Sequence, residues 1–212
     1  MYEISTSALD YARHLRVKAS IEKLLPTIPK SEYEVYTTLK KYSKDFYLNI
    51  EQGHICDVMI SSKELTCIPP KISQLPHLQY LSLICSNIKR IEHLENLTQL
   101  LCLDLIYNQV SKIEGLDNAT QLVVLNLYNN KITKIENLDA LTKLEYIQLG
   151  SNKNYRDSNK ITRIEGLDKL VNLKKIGLEN NPINWNSPET IKQIKKLTDR
   201  GVKVNTKDED ES

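Results

Sequence analysis

Three lines of the sequence, begun at Leu78, Leu100 and Leu122, superimpose at an interval of 22 residues. Leu78, Leu81 and Leu83 fall over Leu100, Leu103 and Leu105, and again over Leu122, Leu125 and Leu127. Aliphatic columns follow: Ile88, Val110 and Ile132; Ile91, Ile113 and Ile135; Leu94, Leu116 and Leu138; Leu97, Ala119 and Leu141. One polar column runs among them, with Asn108 and Asn130 below Ser86. A unit of this size cannot bury its apolar side alone, whereas stacked units share one continuous core. The period therefore dictates a solenoid.

The array extends in both directions. The line from Leu144 carries Ile147, Leu149 and Asn152, slips by seven residues, and resumes at Asn159, Ile161, Ile164, Leu167 and Leu170. The next holds Leu173, Ile176, Leu178, Asn181 and Ile183. Upstream, Ile55, Val58, Ile60, Leu65, Ile68, Ile72 and Leu75 form a turn one residue longer, with Pro69 and Pro70. Six turns are expected over residues 55–195.

The pattern LxxLxLxxNxIxxIxxLxxLxx resembles a leucine-rich repeat over about two thirds of the chain. Its 22-residue form is similar to the subfamily of the nuclear phosphatase-1 regulatory subunit, shared with internalins and a spliceosomal adaptor. The first turn, with Ile68-Pro69-Pro70, resembles the 23-residue repeats of bacterial and plant intracellular proteins. The resemblance implies an α/β leucine-rich-repeat solenoid with a parallel sheet on its concave face. It also implies a partner protein, with regulation of a Ser/Thr phosphatase as one specific form. No residue-level phosphatase motif is carried over.

Physics agrees with the pattern. Each LxxLxL alternates and predicts a short strand. The Asn amide can donate and accept, so it can satisfy backbone groups where the chain leaves the strand. The open ends require covers. Residues 1–54 are expected to form an N-terminal helical region and capping hairpin strand. One helix is expected over 8–25, burying Leu9, Leu15, Ile21, Leu24 and Leu25 and stopped by Pro26 and Pro29. A second is expected from Ser31 to Lys44, with Val35, Leu39, Tyr42 and Phe46 on one side. Tyr47 to Ile50 then alternates ahead of Glu51-Gln52-Gly53-His54, as in a hairpin. Residues 187–206 are expected to form a C-terminal cap. In it, Pro188 starts a helix whose apolar side is Ile191, Ile194 and Leu197, Gly201 ends it, and Val202 and Val204 add an edge strand. The acidic tail 207–212 reads as disordered.

The outward residues of the strands are candidates for function. Columns of them converge on Tyr80, Ile84, Cys102, Ile106, Tyr107, Val124, Tyr128 and Tyr146, crossed by a polar stripe of Asp104, Asn126 and Gln148. Aromatic and aliphatic side chains with few charges are the composition of a binding-patch centre. The skew to 11 Tyr against one Phe and one Trp points the same way, because Tyr tolerates half-exposed sites. β-propensity alone is the plainer explanation of such strand faces.

Other features exclude function classes. On the opposite flank, Arg90, Lys112, Lys134 and Arg163 stand beside Glu92, Glu114, Glu136 and Glu165. Rows that neutralise each other argue against nucleic acid, as does a net charge of only +2. Residues 153–159 form an insertion expected to bulge at the concave edge. Asn152, Asn154, Asp157 and Asn159 hold too few acids for calcium. No GxGxxG, P-loop, GxSxG or HExxH occurs, and His14, His54, His77 and His93 lie on different elements. Cys56, Cys67, Cys85 and Cys102 lack CxxC spacing. With no signal peptide and no membrane-length apolar run, an intracellular, cytoplasmic location is expected.

The reading is a non-enzymatic protein-interaction module, an adaptor or regulatory subunit, with no cofactor and no metal. It is monomeric or self-associates weakly through the concave face. A ribonucleoprotein or nucleic-acid scaffold and an unrecognised hydrolase are the alternatives from other classes.

Overall fold

In the computed structural model the described residues are 24–43, 46–153 and 158–206. The alternating LxL segments become strands, and they stack in sequence order into a single eight-stranded sheet. The strands are β1 (Tyr47–Glu51), β2 (His54–Ser61), β3 (Tyr80–Ile84), β4 (Cys102–Asp104), β5 (Val124–Asn126), β6 (Tyr146–Gln148), β7 (Lys175–Gly177) and β8 (Lys203–Asn205). β1 pairs antiparallel with β2, and every later pair is parallel. Repeat period and strand register coincide: Leu81 lies beside Leu103, Leu103 beside Leu125, and Leu125 beside Ile147.

Behind the sheet the Leu and Ile columns close one core. Leu78, Leu83, Ile88, Leu97, Leu100, Leu105, Val110, Leu122, Leu127 and Ile132 are all fully buried. Successive repeats thus present the same apolar groups to each other, and burial supplies the driving force along the whole stack.

The polar column is a hydrogen-bonded ladder. Asn130 Oδ1 accepts the Val110 N–H at 3.0 Å, while its Nδ2 donates to Leu105 O of the preceding turn at 2.8 Å. Asn108 does the same with Ile88 N–H and Leu83 O. Asn181 does it with Ile161 N–H and Leu149 O. The remaining rung is filled by Asn159, which accepts from Ile132 N–H and donates to Leu127 O. Asn152, which the linear spacing aligns with the column, is displaced from it and binds Asn129 Oδ1 through its backbone N–H. The seven extra residues therefore precede the ladder Asn. Buried Ser151 accepts the Asn159 N–H on its Oγ and anchors the base of the insertion, whose residues 154–157 lie outside the described ones.

At the N-terminal end, α1 (Lys30–Leu39) packs Val35, Tyr36 and Leu39 against the first turn. The helix ends five residues before the expected Lys44. Its last turn tightens into i→i+3 bonds, Lys41 N–H to Thr38 O and Tyr42 N–H to Leu39 O. Tyr42 and Phe46 nonetheless pack on the core. The helix expected over 8–25 lies outside the described residues up to residue 23. Of its expected apolar side, Leu25 is buried in a 3-10 turn Leu25–Thr27, while Leu24 is 38% exposed. One charged residue of α1 is buried. Glu32 accepts the Ile55 N–H at 2.7 Å and lies 2.7 Å from His54 Nδ1, so it fastens α1 to the start of β2.

At the other end Ser187 Oγ caps α2 (Pro188–Thr198) by accepting the Thr190 N–H. Gly201, at φ +81°, lets the chain double back, and Val202 is buried as β8 joins β7. Leu197 and Thr190 are the buried residues of α2, with Ile194 half-buried. Ile191, expected on that side, is 54% exposed. Thr190, Ile194 and Leu197 fall at i, i+4 and i+7, so the next residue after Thr190 is rotated by about 100° out of the stripe. No helix among the described residues is long and apolar enough to cross a membrane.

Two stability predictions follow from these contacts. Asn130→Ala leaves the Val110 N–H buried without a partner and should destabilise the chain by about 2–4 kcal/mol in urea unfolding. An unchanged midpoint would contradict the ladder's role. Glu32→Ala should cost a similar amount, about 2–4 kcal/mol, by orphaning the Ile55 N–H beneath α1. Hydrogen exchange would check this, since loss of protection should begin at α1 and β1.

Candidate functional site

Parallel register turns distant residues into rows. Asp57, Tyr80, Cys102, Val124, Tyr146, Lys175 and Lys203 are successive partners across β2 to β8. Met59, Ser82, Asp104, Asn126, Gln148, Gly177 and Asn205 form the second row. A third row begins with Ser61 beside Ile84. It continues through the ladder bonds Cys85 N–H to Ile106 O, Tyr107 N–H to Tyr128 O, and Asn129 N–H to Gly150 O. The sheet thus gathers the candidate residues onto its concave side. Tyr80, Ile84, Cys102, Asp104, Ile106, Tyr107, Val124, Tyr128, Tyr146 and Gln148 are half-buried there, and Asn126 is buried.

The patch centres on Tyr107 and Tyr128. Their rings meet edge to face, 6.1 Å between centroids and 88° between planes. Tyr107 sits at φ +55°. The same backbone position holds Cys85, Asn129 and Asn180, all at positive φ, where the chain turns sharply from the strand into the ladder. Asn suits that conformation, whereas a Tyr there costs about 1 kcal/mol or more.

The polar stripe has a local task the linear pattern did not reveal. Asp104 Oδ1 accepts the Ile106 N–H, Asn126 Oδ1 accepts the Tyr128 N–H, and Gln148 Oε1 accepts the Gly150 N–H. These side chains end the strands, so one acceptor of each is committed to the chain itself. Further along, Gly150 and Glu179 are buried.

Electrostatics single out the N-terminal half. Removal from water raises the Asp104 carboxyl to about 6, against the lowering effect of its bonds from Ile106 and Ser82. Burial likewise raises the Cys102 thiol to about 12, helped by Asp104 and Asp57. That thiol is protonated near neutrality and is a poor nucleophile. Tyr80 is raised by burial first, then by Cys102, Asp57 and Glu51. Among the described residues no three His, Cys, Asp or Glu side chains are placed to share an ion. On the flank, Arg90 Nε reaches Glu114 Oε1 of the next turn at 2.9 Å, an exposed pair of small energetic weight.

The cap strand extends the face in a way repeat alignment missed. Asn49 pairs with Asp57 and Tyr47 with Met59, so Tyr47, Asn49 and Glu51 continue the concave side. Lys203 continues it at the other end. Both strands are expected from the sequence as end covers, but they lie outside the repeat columns, so column reading does not group their outward residues with the face. Their own alternation was the available signal.

A family model described as "Leucine Rich repeats (2 copies)" matches residues 120–158. The fold is a leucine-rich-repeat solenoid. Similar solved solenoids include internalin C2 of Listeria monocytogenes, 26% identical with TM-score 0.51, the match spanning 65% of this chain and 57% of that one. The functional domain of InlJ from Listeria monocytogenes is 18% identical, TM-score 0.55, over 71% of this chain and 29% of that one. A chain of the PEPR1–AtPEP1 structure is 20% identical, TM-score 0.57, over 73% and 25%. This solenoid therefore spans little more than half of the internalin C2 chain, and less of the other two. No curated protein sequence matches it.

The raised Asp104 carboxyl predicts a pH signature. Its folded value exceeds the ordinary 3.8, so folding takes up a proton between about pH 4 and 6. Stability should fall as pH rises through that window and stay lower above it. Asp104→Asn keeps the acceptor for Ile106 N–H and has no charge to bury. The variant should be more stable than wild type by about 1–3 kcal/mol at pH 7.5, with the gap closing toward pH 4. Urea midpoints at the two pH values decide it; an equal gap at both would contradict it.

Proposed function

We propose that this solenoid is a non-enzymatic interaction module that holds a partner protein on its concave sheet, acting as an adaptor or regulatory subunit. The observation that carries this reading is the Tyr107–Tyr128 pair. It stands in a half-exposed aromatic and aliphatic patch, and Tyr107 occupies a backbone position that suits Asn better. Unfavourable local conformation retained at a surface ring is a mark of selection for contact. Large rigid rings with a polar tip are the side chains that anchor interfaces. Ile84, Ile106, Val124, Tyr80 and Tyr146 would add area, while the rest of the face excludes water.

A protein partner fits better than a nucleic acid. The concave rows of β1 to β5 carry Glu51, Asp57 and Asp104 and no Lys or Arg, so a phosphate backbone would be repelled there. The PEPR1 structure named above is of a complex with AtPEP1, which gives a precedent for ligand binding by a solenoid of this fold. An intracellular setting is part of the proposal and accords with four cysteines that are all free thiols.

The test is capture of partners from soluble lysate of the source cell, with wild type beside a Tyr107→Ala, Tyr128→Ala variant whose fold is checked by circular dichroism. A partner retained by wild type and lost by the folded variant is the expected result. Capture by both alike would overturn the concave-face assignment.

A further inference from the structure

Asp104 does the same backbone work as its neutral neighbours. Asn126 and Gln148 each offer one side-chain oxygen to the N–H two residues on, and Asp104 does so with Oδ1 at 3.1 Å from Ile106 N. The preceding turn has Ser82 at this position. Met59 and Gly177 fill it in other turns, so the fold does not need a charge here. Among the described residues, the second oxygen, Oδ2, has only a long 3.5 Å contact from the Ser82 hydroxyl. In its row it lies between Ser82 and Asn126, with Tyr80 and Cys102 in the adjoining row and Tyr107 three residues along. A carboxylate in such surroundings is poorly solvated, and the chain gains nothing from it in the free state.

We propose that Asp104 is a specificity-determining residue of the concave face, receiving a Lys or Arg side chain of the partner protein. The inference rests on the concave-face reading above. Charge complementarity supports it. Glu51 and Asp57 lie on the same half of the face, on which the described rows of β1 to β5 hold no cation. Lys175 and Lys203 lie in the first row at the opposite end. A partner segment running across the strands would meet opposite signs at its two ends, which fixes its direction. A cation reaching Oδ2 would gain a charge-assisted bond in a water-poor setting and could lie against the Tyr faces beside it. The incoming charge would also relieve the poor solvation of the carboxylate, so recognition would discriminate strongly against a neutral residue at that place.

A phage-displayed library of random 12-residue peptides, selected on the full chain, supplies the probe. Selected peptides are synthesised and titrated against wild type, Asp104→Asn, and Tyr107→Ala, Tyr128→Ala. The expected result is peptides that share a Lys or Arg, are lost on the tyrosine variant, and bind Asp104→Asn roughly 10- to 100-fold more weakly. Replacing the shared cation in the peptide by Gln or Met should remove the difference between wild type and Asp104→Asn. Since Asp104→Asn is expected to be the more stable protein, weaker binding cannot be put down to unfolding. Peptides that need the tyrosines but bind Asp104→Asn equally well, or that contain no shared cation, would overturn this inference alone. Peptides indifferent to the tyrosines, or no binding peptide at all, would overturn the concave-face reading and this inference with it.

Discussion

Everything in this molecule hangs on the buried amide ladder. A solenoid turns its backbone out of a strand at every repeat, and each turn leaves an N–H and a C=O facing inward. Asn108, Asn130, Asn159 and Asn181 answer both groups at once, accepting from a preceding-turn N–H and donating to a preceding-turn carbonyl. An apolar residue could fill the space but would leave buried polar groups unpaired, at a cost comparable to a substantial part of a domain's stability. With the ladder satisfied, the Leu and Ile columns can close around it without defects. The sheet register then follows, and with it the alignment of the concave rows.

The ends obey the same accounting. The antiparallel β1 covers one sheet edge, while at the other β8 is held in place by α2 and the buried Val202. Glu32 is a charged solution to a backbone problem, because it reaches an N–H at the start of β2 that no ladder residue precedes. The two caps do more than seal the core. They lengthen the concave surface by a strand each and set its electrostatic ends, with Glu51 on one and Lys203 on the other.

Two departures from local optimality concentrate on that surface. Tyr107 sits at a positive φ that Cys85, Asn129 and Asn180 occupy in other turns, and it is the bulkiest of the four side chains. Asp104 carries a charge that Asn126 and Gln148 do without in the same capping role. Repeats are useful controls for such reasoning: the neighbouring turn shows what packing alone accepts. Where one turn deviates at a position whose structural task is unchanged, the deviation points outward, to what the face meets.

The solenoid itself was legible in the sequence, because a 22-residue period with apolar columns admits one economical burial scheme. Strand alternation likewise discloses which residues face outward, among them Tyr80, Tyr128 and Tyr146, while Tyr107 lies just beyond its strand in the repeat column of Cys85 and Asn129. Three matters were decided only by tertiary structure. Ladder membership went to Asn159 over Asn152, since hydrogen bonds to the preceding turn, not linear spacing, select the rung. Ile191 faces solvent, since the docking angle of α2 on the last repeat chooses which stripe is buried. The stripe of Asp104, Asn126 and Gln148 proved to be strand-ending acceptors, because the backbone N–H each one meets depends on a turn whose geometry the stacked neighbours impose. Local pattern determines which residues can be core or face, and contacts between turns determine which polar groups remain to be used.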